Sequence, residues 1–420
     1  PDSTGNITDP MLSIRTIALI MPLLMASEAV VKPALGQATM GTLGKNTQHI
    51  RELLARKHWT QAARRITATT PEAQLVLGTA LLKAKRPGDA LVALNRAAGK
   101  TKHLHDIVEM RRAEAFMALE KPNDVLVALG KVKTPILLGS QFTRIKARAL
   151  RESGQISQAQ KTYQAMLKSE LPADVPVALL GLARLTADTG TPKKVIDYVK
   201  RLDVEYPTHW TAKRARILAL KTVATNPLLM SQWTKRSPQE QLKRGEAFLA
   251  KHRNRAAIKE LTALNGRLRK PAEECRQQYA LGRALRKRRK WKRARPILAK
   301  AIKTCRGIKS DLTPWAIHLA GRAAETVGAE DESARIFKSQ VKNHPSHRLA
   351  DDAAYYLVRD AIEDRNDIAK AERLITKFVG KFPDGDMMFD GIFFVVAHAF
   401  EKKQYRRALR VLKLNDRLKE

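Results

Sequence analysis

Apolar positions recur along the chain in a fixed arrangement. A small residue flanked by apolar neighbours is followed twelve residues later by a second small residue, and four residues after that by an apolar one. Leu77, Gly78 and Leu81 are followed by Ala90, Leu94 and Ala97, and Leu281, Gly282 and Leu285 by Ala294, Leu298 and Ala301. Looser matches keep the spacing: Ala113 and Phe116 lead to Val125 and Leu129, and Ala147 and Leu150 to Ala159 and Tyr163. Ala183 leads to Val195, Val199 and a terminating Pro207, and Gly321 to Ser333, Phe337 and Pro345. Ile362 leads to Ala371, Ile375 and Pro383 after a shorter first interval, while Ala62 with Ile66 and Ala408 with Leu412 mark a first and a last unit. Intervals of three and four are helical. Small residues are needed where two antiparallel helices cross closely, and larger apolar ones fill the groove against the next pair. Each register therefore predicts one helical pair.

This spacing resembles the tetratricopeptide repeat, whose period is about 34 residues. It implies an all-α, tetratricopeptide-like helical-repeat solenoid (an α-α superhelix) in place of two or three globular domains. The pattern lapses over residues 222–240 (TVATNPLLMSQWTKRSPQE), a stretch rich in Pro, Ser and Thr. That stretch is a hinge or a non-consensus helix, and it separates an N-terminal solenoid (39–221) from a C-terminal one (241–420). Upstream, Met11, the basic Arg15, the apolar run Ile17 to Ala26 and the small-residue site Gly36-Gln37-Ala38 have the layout of a secretory signal peptide. A buried N-terminal helix is the alternative. The run is shorter than the twenty or so apolar residues of a membrane span. The expectation is an exported, periplasmic chain that starts near Thr39, with no lipid anchor because no cysteine lies near the cleavage site.

Composition agrees with helices. Aromatic residues make up 5% and hydrophobic residues 44% of the 420, and β-branched runs are scarce. Charge adds something the periodicity does not contain. Lys and Arg number 78 against 41 acids, a net charge of +37. Residues 241–310 carry 23 Lys and Arg against four acids, whereas 341–390 carry eight against ten. The densest run holds Arg286, Lys287, Arg288, Arg289, Lys290, Lys292, Arg293 and Arg295. Such a run can bind nucleic acid, or it can be a solvated ridge that attracts any polyanion. The export signal points away from nucleic acid and towards anionic cell-wall polymers and lipid surfaces.

Cys275 and Cys305 sit at the start of the first helix and just after the second helix of one repeat. Antiparallel packing brings those ends together, so in an oxidising compartment a disulfide is favoured over two separate buried thiols. Two cysteines this far apart do not make a zinc site, and His344 with His347 supply too few ligands for any metal. Trp59, Trp291 and Tyr405 each precede the small residue of a second helix by three positions, where an aromatic packs into the hairpin. Trp210, Trp233 and Trp315 share no register and could line a ligand surface or the core. No Walker loop, G-x-S-x-G elbow or H-E-x-x-H motif occurs, and no cofactor is implied.

Residues 241–414 resemble the superhelical tetratricopeptide region of soluble lytic murein transglycosylases. The segments that carry the likeness are Cys275 to Leu298 (CRQQYALGRALRKRRKWKRARPIL), Trp315 to Glu325 (WAIHLAGRAAE) and His344 to Met387. In that family the superhelix precedes a lysozyme-like domain, recognised by a Glu-Ser pair and a downstream Gly-Leu-Met-Gln, that cleaves peptidoglycan glycan strands. Glu152-Ser153 and Glu332-Ser333 both lie inside repeats with no such segment after them, so no catalytic residue carries over. The resemblance implies a module that positions or binds peptidoglycan, with the catalytic domain missing or truncated. The alternative is a periplasmic scaffold that binds a protein partner.

Overall fold

The computed structural model describes residues 43, 46–101, 103–169, 171 and 173–418. The expected leader, from Met11 to Ala38, lies outside them. Among the described residues all regular structure is helical, in the alternating antiparallel pairs of a tetratricopeptide-like solenoid. The chain divides into two compact units, one reaching Leu202 and including Trp210–Met230, the other made of Asp203–His209 and everything from Ser231 onward. The first unit holds α1 (Thr47–Ala55), α2 (Trp59–Arg65), α3 (Pro71–Lys83), α4 (Pro87–Ala97), α5 (His105–Ala118), α6 (Pro122–Gly130), α7 (Gly139–Glu152), α8 (Ile156–Leu167) and α9 (Val175–Asp188). It also holds most of α10 (Pro192–Glu205) and all of α11 (Trp210–Thr225). The stretch 222–240 contains the end of α11, the short α12 (Leu229–Thr234) and the beginning of α13.

The second unit contains five pairs: α13 (Pro238–Ala250) with α14 (Asn254–Thr262), α15 (Pro271–Lys287) with α16 (Trp291–Gly307), and α17 (Leu312–Thr326) with α18 (Glu330–Asn343). They are followed by α19 (Ala350–Glu363) with α20 (Ile368–Lys381), and α21 (Asp386–Glu401) with α22 (Tyr405–Leu412).

Local chemistry sets the boundaries. Pro71, Pro87, Pro122, Pro238 and Pro271 open their helices, where the N–H that proline lacks would have no intrahelical partner. Ser237 and Glu240 form a reciprocal capping box at the head of α13. Pairs are joined by three-residue turns whose middle residue is left-handed, as at Lys85, His252, Arg289 and Gly328. The third residue donates back to the carbonyl five positions earlier: Lys290 N–H to Leu285 O at 2.9 Å and Gln155 N–H to Leu150 O at 2.8 Å. These bonds satisfy carbonyls at the helix end that have no intrahelical donor.

One turn departs, and it corrects the Ile362 register. Between α19 and α20 the linker is Asp364–Asp367, one residue longer, with Asn366 left-handed and Asp367 N–H reaching Ala361 O at 2.7 Å. The crossing residue of this pair is therefore Val358, thirteen positions before Ala371, and both are fully buried.

The close crossing is visible at the glycines. A Cβ placed on Gly282 would meet Leu298 at 2.5 Å, and on Gly321 would meet Phe337 at 2.6 Å. Gly78 stands in the same relation to Leu94, and Gly245 to Leu261. The Gly245 hairpin, with Ala257 as its second small residue, is one that the sequence pattern did not single out. First helices of neighbouring pairs also touch, as α13 does α15 and α15 does α17. Among the described residues no helix is long and apolar enough to cross a membrane.

Candidate binding face

The register that buries one side of each first helix dictates what the other side presents. Arg283, Arg322 and Arg359 each directly follow the crossing residue of their pair (Gly282, Gly321, Val358), on α15, α17 and α19. Tyr279, His318 and Tyr355 sit three residues before the same crossing residues. Basic and aromatic side chains therefore alternate across three neighbouring helices.

Their contacts are specific. The Arg322 guanidinium lies 4.3 Å from the Tyr356 ring centre, and Arg359 lies 5.7 Å from it. Tyr356 stacks at 4.9 Å on Phe337, which is buried in α18. His318 meets Phe337 and Tyr356, each at 6.0 Å. At one edge Arg348 lies 5.5 Å from the Trp315 ring, which also meets His347 edge-on at 5.3 Å. Tyr355 continues the aromatic row to Phe394 of α21 at 6.4 Å.

Charge is balanced at one end of this face and not at the other. Glu325 lies 3.5 Å from Arg322 and 3.4 Å from Arg359, and Arg359 also pairs with Glu363 at 2.6 Å. Burial raises the Glu325 carboxyl above its usual range, against the lowering pull of those two arginines. Among the described residues, neither Arg283 nor Arg286 has a carboxylate within ion-pair distance. Burial first, then Arg322 and Arg283, pushes the half-buried Arg286 guanidinium below its usual range, and its Nε has no hydrogen-bond partner. Burial, reinforced by Arg322, Arg286 and His347, lowers His318 to about 4, so its imidazole is neutral at pH 7, and its Nδ1 also lacks a partner. Positive charge, forked donors and flat aromatic surface together suit a carboxylate or phosphate group.

The hairpin that carries Arg283 and Arg286 is covalently closed. Cys275 and Cys305 are joined, with Cα atoms 5.0 Å apart and both residues fully buried, which fixes the start of α15 to the end of α16.

The basic run is split by its own turn. Arg286 and Lys287 end α15, Arg288, Arg289 and Lys290 form the turn, and Lys292, Arg293 and Arg295 belong to the first turns of α16. Arg286 faces Arg322, Lys287 donates to His252 Nδ1 at 3.1 Å, and Arg295 pairs with Glu332 of α18. The other five are exposed. The structure thus groups Arg286 with Arg283 and Arg322, residues from a different helix turn and a different repeat. Of the three register aromatics, Trp59 and Trp291 are half-buried, whereas Tyr405 is 51% exposed against Phe400. No group of three or more potential metal ligands occurs among the described residues.

The first unit repeats part of this arrangement. Arg148 on α7 and Arg184 on α9 hold the register of Arg283, and burial together with Arg151, Arg214 and Arg148 lowers the Arg184 guanidinium.

A tetratricopeptide-repeat family profile matches residues 146–209, from within α7 to the loop after α10. No curated protein matches the chain. Among solved structures, the chain is similar to the TPR domain of P58(IPK), at 17% identity over 83% of this chain and 93% of that one, with a TM-score of 0.23. It is also similar to the apo form of RapI, at 10% identity over 82% and 97% of the two chains, with a TM-score of 0.30.

Proposed function

We propose that the chain is a scaffold that binds an acidic segment of a protein partner along the α15–α17–α19 face. One observation carries this reading: Arg286 is half-buried beside Arg322, Tyr279 and Tyr356, the exposed Arg283 stands next to it, and among the described residues neither Arg283 nor Arg286 has a carboxylate of its own. A cluster of like charges in a partly dehydrated site is costly unless an anion completes it. Helical repeats bind partners along such surfaces without carrying chemistry themselves. The Arg286→Gln/Arg322→Gln double variant should lose at least about tenfold in affinity for a partner recovered by crosslinking, equivalent to roughly 1.4 kcal/mol. An unchanged affinity would sink the reading.

A finer reading places the chain in the periplasm, as the peptidoglycan-binding module of a lytic transglycosylase-like protein. The joined Cys275 and Cys305 support an oxidising compartment, and the exposed cations Arg288 to Arg293 support an anionic wall polymer. Sedimentation with purified sacculi at low and high salt separates the two readings. Wall retention that fades with salt favours the finer one, and a stable protein complex without wall retention favours the first. N-terminal sequencing of the mature protein tests export, which predicts a start near Thr39.

A further inference from the structure

The first helices of the first unit leave two arginines unmatched. Each arginine of α7 has a carboxylate: Arg144 meets Asp174 at 2.7 Å, Arg148 meets Glu152 at 2.8 Å, and Arg151 meets Asp188 at 2.8 Å. Arg184 on α9 and Arg214 on α11 have no ion pair among the described residues. Arg184 directly follows the crossing residue Ala183, as Arg283 follows Gly282 in the second unit.

The surroundings of Arg184 are built from four helices. α9 packs against both α7 and α11, so guanidinium groups gather on Arg184 from either side. Burial first, then Arg151, Arg214 and Arg148, pushes the half-buried Arg184 below its usual range. Beneath it lies Tyr163 of α8, which is 4% exposed and packs under Gly181 of α9. Burial raises the Tyr163 hydroxyl, and Arg151, Arg184 and Arg148 oppose that shift, so the hydroxyl lies among the same guanidinium groups. At the rim, Arg214 lies 4.9 Å from the ring centre of Trp210, which is 53% exposed. That contact orients the Arg214 guanidinium without neutralising it.

Charge and shape select the ligand. Glu152 and Asp188 are already paired with Arg148 and Arg151, so the surplus is the two positive charges of Arg184 and Arg214. A carboxylate would match only one of them, and its two oxygens share a single planar edge. A phosphomonoester carries close to two negative charges at neutral pH and three terminal acceptor oxygens, enough for forked donors arriving from two helices. We propose that the first unit holds a second anion site, in which Arg184 and Arg214 bind the phosphate group of a phosphomonoester above the Tyr163 hydroxyl. The site shares no residue with the α15–α19 face and does not rest on the reading of that face.

The test uses the full chain carrying Arg286→Gln/Arg322→Gln, so that the α15–α19 face is removed and the two sites are judged separately. The probes are inorganic phosphate and a short neutral peptide with one phosphoserine, each followed by phosphorus NMR at low salt. Saturable binding is expected, weakened at least about tenfold by Arg184→Gln or by Arg214→Gln, and by less than about threefold by Arg148→Gln, whose charge Glu152 already matches. The same peptide with glutamate in place of phosphoserine, tested by competition, should bind at least about fivefold more weakly. Tighter binding of the phosphopeptide than of inorganic phosphate assigns the group to a protein side chain, and the reverse order assigns it to a free small molecule. Arg214 is exposed and Arg184 gives up an unpaired charge, so neither variant should lower the thermal midpoint, which circular dichroism checks. Absence of saturable phosphate binding, indifference to Arg184→Gln and Arg214→Gln, or equal binding of the glutamate peptide overturns the proposal.

Discussion

Arg286 and His318 illustrate how one register produces opposite demands on neighbouring groups: the arginine stays charged and lacks an anion, while the imidazole is held neutral. His318 titrates at about 4 in the fold against an ordinary 6.5. Its neutral form stabilises the fold fully above pH 6.5, and that contribution is lost as the pH falls towards 4, up to about 3 kcal/mol in all. His318→Phe keeps the aromatic packing against Phe337 and removes the titration. The variant should therefore lose less thermal stability than the parent between pH 6.5 and 4.5. Equal losses would mean His318 does not titrate as the packing implies. Asp352 works the other way. Burial, then Asp351 and Asp386, raises it to about 6, so its ionisation opposes folding above that pH and costs nothing below its ordinary 3.8. The group is half-exposed and screened, so Asp352→Asn should gain only about 1 kcal/mol at pH 8, with the gain fading between pH 6 and 4. Thermal melts across that range test it.

Within a hairpin, the crossing residue and the turn carry most of the specificity. Gly282→Ala forces a methyl to within 2.5 Å of Leu298 and should destabilise the second unit by about 1–3 kcal/mol, because a fully buried Leu298 has little room to move. Gly380→Ala, with open space around it, should change stability far less, and paired melts compare the two. Reducing the Cys275–Cys305 bond opens a loop of 30 residues, for which chain entropy predicts a loss of about 3.5 kcal/mol. Melting with and without reductant, alongside a Cys275→Ala/Cys305→Ala variant, measures it. These hairpins were legible from the sequence because antiparallel crossing leaves a small residue at a fixed distance from its partner. The longer α19–α20 turn was not, since the apolar pattern records which residues are buried and not how many residues a turn uses. The Gly245 hairpin carried the same spacing but stood next to the lapse at 222–240, where polar and proline residues masked the period.

Over the whole molecule, charge is the property that sequence and structure read differently. The run from Arg286 to Arg295 stands out by eye, yet a helix end and a turn send its members to several sides. The face that gathers Arg283, Arg286 and Arg322 draws on residues far apart in the chain, and only the pairing of helices shows that they meet. The aromatic partners were hidden for the same reason: Tyr356 and Phe337 become neighbours when successive pairs stack. The repeat architecture was readable because it is periodic, and the binding face was not because it lies across the period. Half of the net charge lies in residues 241–310, so the scaffold reading predicts partner binding that weakens steeply with salt while the fold does not. The central claim is that ligands engage the layer of first helices. Its most direct test is photo-crosslinking in cells from a photoreactive residue at Tyr279 or Arg283, compared with one at Lys300 or Lys338 on the second helices. Crosslinks from the first two positions alone, lost with Arg286→Gln/Arg322→Gln, are the predicted result; equal crosslinking from Lys300 and Lys338 would contradict it.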